Sequence, residues 1–141
     1  MEPILLTMDE RLLSQWPDDV AAYYRELAAR RGWDEYTAHA FSQSVDYYRG
    51  LAEGAGERSY WRGPDSDGGQ WFFEAVRDDG DGHRVPVREL IIEGDGSRRS
   101  RYSWRHLEDD LGGVPEGSLD DWIENLQEIS VEEFEAAWAT D

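Results

Sequence analysis

The stretch QWFFEAV, residues 70–76, decides the fold class. Side chains alternate along a strand, so Trp71, Phe73 and Ala75 point one way and Phe72, Glu74 and Val76 the other. Turn-forming residues bound the stretch on both sides. Gly63, Pro64, Asp65, Asp67, Gly68 and Gly69 precede it, and DDGDG at 78–82 follows. Upstream, ERSYWR at 57–62 reads as a short extended segment. Downstream, RVPVRELIIEG at 84–94 reads as a longer strand in which Pro86 requires an edge position or a bulge. The alternation slips between Val87 and Leu90, which places a bulge near Arg88. After the Gly94–Gly96 turn, RRSRYSW puts Ser100, Tyr102 and Trp104 on one face and Arg99, Arg101 and Ser103 on the other. Short turns between such strands predict an antiparallel meander of three to four strands over residues 57–104.

Residues 1–56 read as helical. Thr7 with Glu10 forms a capping box that opens a short helix through Leu12, Leu13 and Trp16. Pro17 then sits at a helix start, and Asp18 and Asp19 suit the positive end of the helix dipole. Val20, Tyr23, Tyr24, Leu27 and Ala28 form one apolar stripe, closed by Arg30, Arg31 and Gly32. A second helix is predicted from about Asp34 to Ala52, with Tyr36, Ala40, Phe41, Val45, Tyr48 and Leu51 on one broad face. The two together predict a helical hairpin.

Residues 105–141 read as an acidic helical segment. Ser118 is an N-cap, with Asp120 and Asp121 in the first turn and Leu119, Trp122, Ile123 and Leu126 on an apolar face. Ser130 with Glu133 is a second capping box, followed by Val131, Phe134, Ala137 and Trp138. The expected architecture is therefore α+β. It comprises an N-terminal helical hairpin, an antiparallel meander and two short C-terminal amphipathic helices, in a single domain over 1–141.

Charge is distributed unevenly across these three parts. The chain of 141 residues carries a net charge of −18, and all 14 basic residues are Arg. From His106 onward there are 12 Asp/Glu and no Arg. Phosphate backbones and anionic membranes would be repelled, so direct nucleic-acid and membrane partners are not expected. A basic protein partner is favoured by the same field. The absence of Cys removes disulfides, thiol catalysis and thiolate metal sites. The N-terminal MEPILLTMDERLL does not have the form of a signal peptide, and no apolar run approaches transmembrane length, so a cytoplasmic location is expected.

Four stretches in this order, Gln70–Val76, Val85–Gly96, Gly117–Ile123 and Glu128–Trp138, together resemble a family of small bacterial proteins of unknown function. The last of them, EISVEEFEAAW, is similar to that family's ending, Glu-Ile-Ser-x-Glu-Glu-Phe-Glu-x-x-Trp. The resemblance covers residues 57–141 and implies an antiparallel sheet with a helical C-terminus. It carries over no catalytic residue.

No motif for chemistry stands out. Asp65 and Asp67 sit in a Gly-rich turn, but an EF-hand counted from Asp65 fails at Gln70 and Val76. His39, His83 and His106 lack a partner His at ligand spacing, so no metal is expected. No Ser lies in a nucleophile elbow, and GPDSDGG lacks the Lys of a phosphate loop. Arg98, Arg99, Arg101 and Arg105 lie beside Tyr102 and Trp104, a combination that can bind single-stranded nucleic acid. In this negative field they are expected to pair with the acidic C-terminal helices instead.

The leading expectation is a non-catalytic acidic binding protein, with no cofactor, that neutralises a basic partner such as a bacterial toxin. Its contact set is Asp120, Asp121, Glu124, Glu128, Glu132 and Glu135. A DNA-mimic inhibitor is an alternative. So is a ligand-binding or enzymatic domain using an aromatic sheet face lined by Trp61, Trp71, Phe73, Tyr102 or Trp104.

Overall fold

A computed structural model describes residues 10–65, 68–80, 82–96, 98–115 and 117–140. Thr7, Asp67 and Asp81 lie outside the described residues, so the Thr7 half of the first capping box does too. Among the described residues the fold is α+β, with four α-helices and a five-stranded antiparallel sheet. The chain divides into two units, Met1–Gly50 and Leu51–Asp141.

The first unit holds α1 (Glu10–Leu13), α2 (Asp18–Arg31) and most of α3 (Glu35–Glu53). Pro17 precedes α2, and Gly32 ends it at φ 63°, a left-handed conformation that costs glycine little. Trp33 N–H then donates to Ala28 O at 3.1 Å, which satisfies one of the last helical carbonyls. Asp34 Oδ1 accepts from the Thr37 N–H at 2.7 Å and caps α3. Tyr24 is fully buried and meets Trp16 and Phe41 edge-on at 5.8 and 5.7 Å. The buried stripe of α3 is Ala38, Ser42, Val45 and Tyr48, not the broad face expected. Tyr36 is 82% exposed, because it stands outside the i, i+3, i+4, i+7 progression of that stripe. Ser42 tolerates burial by donating to Ala38 O at 2.8 Å.

The second unit is built on the sheet. Its strands are β1 (Arg58–Pro64), β2 (Gln70–Arg77), β3 (Arg84–Ile92), β4 (Arg99–Tyr102) and β5 (Gln127–Ile129), in the order β4-β3-β2-β1-β5. The first four form the meander. Glu74 pairs with Arg88 but Ala75 pairs with Pro86, so Val87 is the extra residue of a bulge. β4 pairs only with Glu89–Ile92 of β3, so Pro86 lies beyond the β4 ladder and its missing N–H breaks no bond there.

The C-terminal part differs from expectation in two ways. The predicted helix after Ser118 is a pair of 3₁₀ turns, Leu119–Asp121 and Ile123–Asn125. Ser118 does cap the first, accepting from the Asp120 N–H at 3.0 Å. A run this short, with Asp and Asn inside it, cannot sustain an α-helix by itself. It is followed by β5, which extends the sheet past β1 through Tyr60–Ile129, Trp61–Glu128 and Arg62–Gln127 pairs. The second helix, α4 (Val131–Ala139), forms as expected. Ser130 Oγ accepts from the Glu133 N–H at 3.1 Å.

Both sheet faces are covered. Trp61, Phe73 and Ala75 lie under Leu119, Trp122, Ile123 and Leu126 of the 3₁₀ segment, with Trp71 beside them. Phe72 and Leu90 lie on the opposite face under Phe134 of α4, with Tyr60, Ile92, Ile129, Ala137 and Trp138 around them. Full burial of a side chain such as Phe134 is worth roughly 1.5–3 kcal/mol. Among the described residues no helix is long and apolar enough to cross a membrane.

Candidate functional site

The arginines of the sheet decide which carboxylates remain available. Arg88 reaches Glu74 at 2.7 Å and Glu135 at 2.6 Å, and its guanidinium lies over the rings of Phe134 and Trp138 at 4.8 and 4.9 Å. Burial would lower its pKa, but the hydrogen bonds to Glu135 and Glu74 outweigh this and raise it. Glu74 is buried yet satisfied by Arg88, by Arg58 at 3.2 Å and by the Tyr60 hydroxyl at 3.0 Å. Arg62 pairs with Glu133 at 3.0 Å and also donates to Gln127. Arg84 pairs with Asp120 at 2.6 Å, and that bond holds the Asp120 carboxyl below its usual range.

Within the cluster of Arg98, Arg99, Arg101 and Arg105, it is Arg99 and Arg101 that act on the end of α4, through carbonyls rather than carboxylates. Arg99 donates to Ala137 O at 2.8 Å. Arg101 donates to Trp138 O at 2.7 Å and to Thr140 O. These are carbonyls at the negative end of α4, which a cation stabilises. Arg98 pairs with Glu93 at 3.1 Å, and Arg105 lies over the Trp104 ring at 5.0 Å. The expected pairing with acidic side chains therefore belongs to Arg62, Arg84 and Arg88.

Asp120 and Glu135 are thus engaged internally. Asp121, Glu124, Glu128 and Glu132 are exposed and have no ion-pair partner among the described residues. Their placement follows the chain. Asp121 and Glu124 lie on the 3₁₀ segment over one face of the sheet. Glu128 lies on β5, and Glu132 opens α4 on the other face. The six expected contact residues therefore share no single helix face. The four available ones follow the chain around the β5 edge.

Beside this edge is a pocket of about 500 Å³ walled by Trp71, Trp122, Leu126 and Pro64, with Asp65, Asp121 and Asn125 supplying polar groups. Trp122 stands 6.4 Å from Trp71 and 5.9 Å, edge-on, from Phe73, so its ring is fixed from two sides. A second, more polar hollow of about 490 Å³ shares Pro64, Asn125 and Leu126 with it and adds Arg62, Gln70, Glu124 and Gln127. Gly63 packs closely against Leu126: a Cβ there would lie 2.5 Å from Leu126 Cδ2, so a larger residue would make that side chain shift. Of the aromatic residues singled out in the sequence, Trp71 lines the pocket. Trp122, Asn125 and Pro64 were not foreseen as lining it, because only the return of the chain to β1 brings them there.

A titratable cluster also has no signature in the sequence. Asp109 accepts from the Tyr102 hydroxyl at 2.9 Å and from the Leu111 and Gly112 amides at 2.8 and 3.1 Å, and lies 3.0 Å from His106 Nε2. Burial opposes ionisation of Asp109, yet these bonds hold its pKa below the usual value. Burial and the bond to Asp109 raise the Tyr102 pKa, keeping the hydroxyl protonated as a donor. Glu89 pairs with both Phe73 and Tyr102 across the sheet and is 4% exposed. Desolvation pushes its pKa to about 8, and its Oε2 has no hydrogen-bond partner. The Asp109 bonds close the 103–113 loop on β4. Among the described residues, no group of three or more His, Cys, Asp or Glu is placed to hold a metal ion.

No family model, no curated protein and no solved structure matches this chain.

Proposed function

We propose that this chain is a non-catalytic acidic binding protein that neutralises a basic protein partner, as the immunity protein of a bacterial toxin does. One observation carries the reading: Asp121, Glu124, Glu128 and Glu132 are held on ordered elements, exposed, and unpaired among the described residues. Surface carboxylates fixed in this way steer a basic partner and raise its association rate. Other charges of the segment are spent inside the fold, on Arg62, Arg84 and Arg88. That division favours a partner-binding edge over a DNA mimic, which needs long uninterrupted rows of free carboxylates. A toxin that cleaves nucleic acid would present the required basic cleft.

The test is capture of partners from the source cell by the immobilised protein at low and high salt, beside a variant carrying Asp121→Asn, Glu124→Gln and Glu128→Gln. The expected result is a basic protein retained at low salt, released at high salt and lost with the variant. Recovery of no basic protein at low salt, or equal recovery by the variant, removes the reading.

A further inference from the structure

We infer that the Trp71–Trp122 pocket is the socket for an arginine side chain of the partner. This rests on the partner reading above and names the group that the surface would anchor. The pocket combines the two features a guanidinium requires. Indole faces attract a cation through their quadrupole, and the best ring for this is Trp. The Asp121 carboxylate can accept its forked N–H groups, and the Asn125 side chain adds a further acceptor.

Among the described residues, none that lines this pocket is basic, although the chain contains 14 Arg. The neighbouring Arg are committed elsewhere, Arg62 to Glu133 and Gln127 and Arg84 to Asp120. Asp121 has no ion-pair partner among the described residues, and it lies directly after the neutralised Asp120. The walls are already ordered, since Phe73 holds Trp71 at 6.2 Å and Trp122 at 5.9 Å. An incoming side chain therefore meets rigid rings and loses mainly its own freedom. Arginine suits the site better than lysine. Its planar group stacks on indole, sheds water more readily and bonds carboxylates in pairs. A buried arginine among aromatic rings is also the usual kind of anchor at an interface.

The test uses the full chain and a small probe. Blocked arginine (Nα-acetyl-arginine amide) is titrated at low ionic strength while the indole N–H signals are followed by NMR. Its uncharged isostere, blocked citrulline, is titrated in parallel. The expected result is a saturable shift at Trp71 and Trp122 with arginine and none with citrulline. Asp121→Asn is expected to weaken binding about fivefold. Glu26→Gln, an equal loss of charge at an exposed position of α2, leaves it unchanged. Asp121 is exposed, so its substitution leaves the Trp cluster folded, and the unchanged remaining indole signals verify this. Equal shifts with citrulline, no shift at all, or equal weakening by Glu26→Gln overturns the inference. Because the probe contains no partner, the socket and the partner reading fail separately. Binding of arginine with no basic protein captured leaves the socket standing alone. A captured protein with no arginine binding leaves the acidic edge without it.

Discussion

Glu89 shows how one residue can set the response of a fold to pH. It pairs with Phe73 on one side and Tyr102 on the other, and Oε2 has no partner. A carboxyl in such surroundings prefers to be neutral, and burial raises its pKa from 4.5 to about 8. The folded state therefore holds this proton more tightly than the unfolded chain does. Between about pH 4.5 and pH 8 the native form carries the proton and the unfolded form does not, so the stability from this residue falls as pH rises through that window. Below the window the contribution is complete, and above it the contribution is gone. The loss is on the order of a few kcal/mol. Glu89→Gln keeps the shape and never ionises. Thermal denaturation from pH 5 to pH 9 should show a declining midpoint for the parent and a flatter profile for Glu89→Gln. The variant should be the more stable of the two at pH 9. Parallel profiles would mean that Glu89 is solvated well enough to ionise freely.

At the scale of the element, α4 is held by more than its apolar stripe. Phe134 and Trp138 supply the hydrophobic contact, while Arg88 passes between the sheet and the helix, touching both rings, Glu74 and Glu135. Arg88→Ala removes the packing and leaves the buried Glu74 short of one of its two cations. The expected cost is about 3–5 kcal/mol, read from chemical denaturation. Arg88→Lys should recover only part of it, because an ammonium cannot fork to two carboxylates while lying over two rings. Full recovery by Lys would show that charge alone holds the helix. The sequence revealed α4 because its signals are local: Ser130 with Glu133, then Phe134 and Trp138 at helical spacing. It revealed the two faces of QWFFEAV for the same reason, since alternation is local. It concealed β5, because Gln127–Ile129 has no alternation and becomes a strand only by pairing with Tyr60–Arg62, far away in the chain. The same dependence on a distant partner concealed the 3₁₀ turns. Leu119, Trp122, Ile123 and Leu126 fit helical spacing, and only the pull of Leu126 and β5 onto β1 shows that they do not form an α-helix. The site inherited that error. Six carboxylates placed on two helices became four on three different elements around an edge, and the pocket beside them had no linear signature.

At the scale of the whole molecule, net charge and available charge are different quantities. The chain carries −18, yet the 9 Arg of residues 57–105 include those that neutralise Asp120, Glu133 and Glu135 within the fold. A paired carboxylate contributes little field beyond its partner, whereas an exposed unpaired one is felt over a Debye length, about 8 Å at physiological salt. The two classes of Asp and Glu should therefore respond differently to substitution. Asp121→Asn, Glu124→Gln and Glu128→Gln together remove three free charges without touching the core. With a basic partner they should slow association about tenfold or more at low ionic strength, and the difference should shrink as salt is added. Dissociation should change least for Glu124 and Glu128, which steer, and more for Asp121, which borders the indole pocket. Asp120→Asn removes the same unit of charge, but one already spent on Arg84, so it should lower stability slightly and leave the association rate nearly unchanged. Stopped-flow association at several salt concentrations checks both statements. If Asp120→Asn slowed association as much as Glu124→Gln, net charge alone would govern encounter, and the arrangement of carboxylates around the β5 edge would carry no information about the partner.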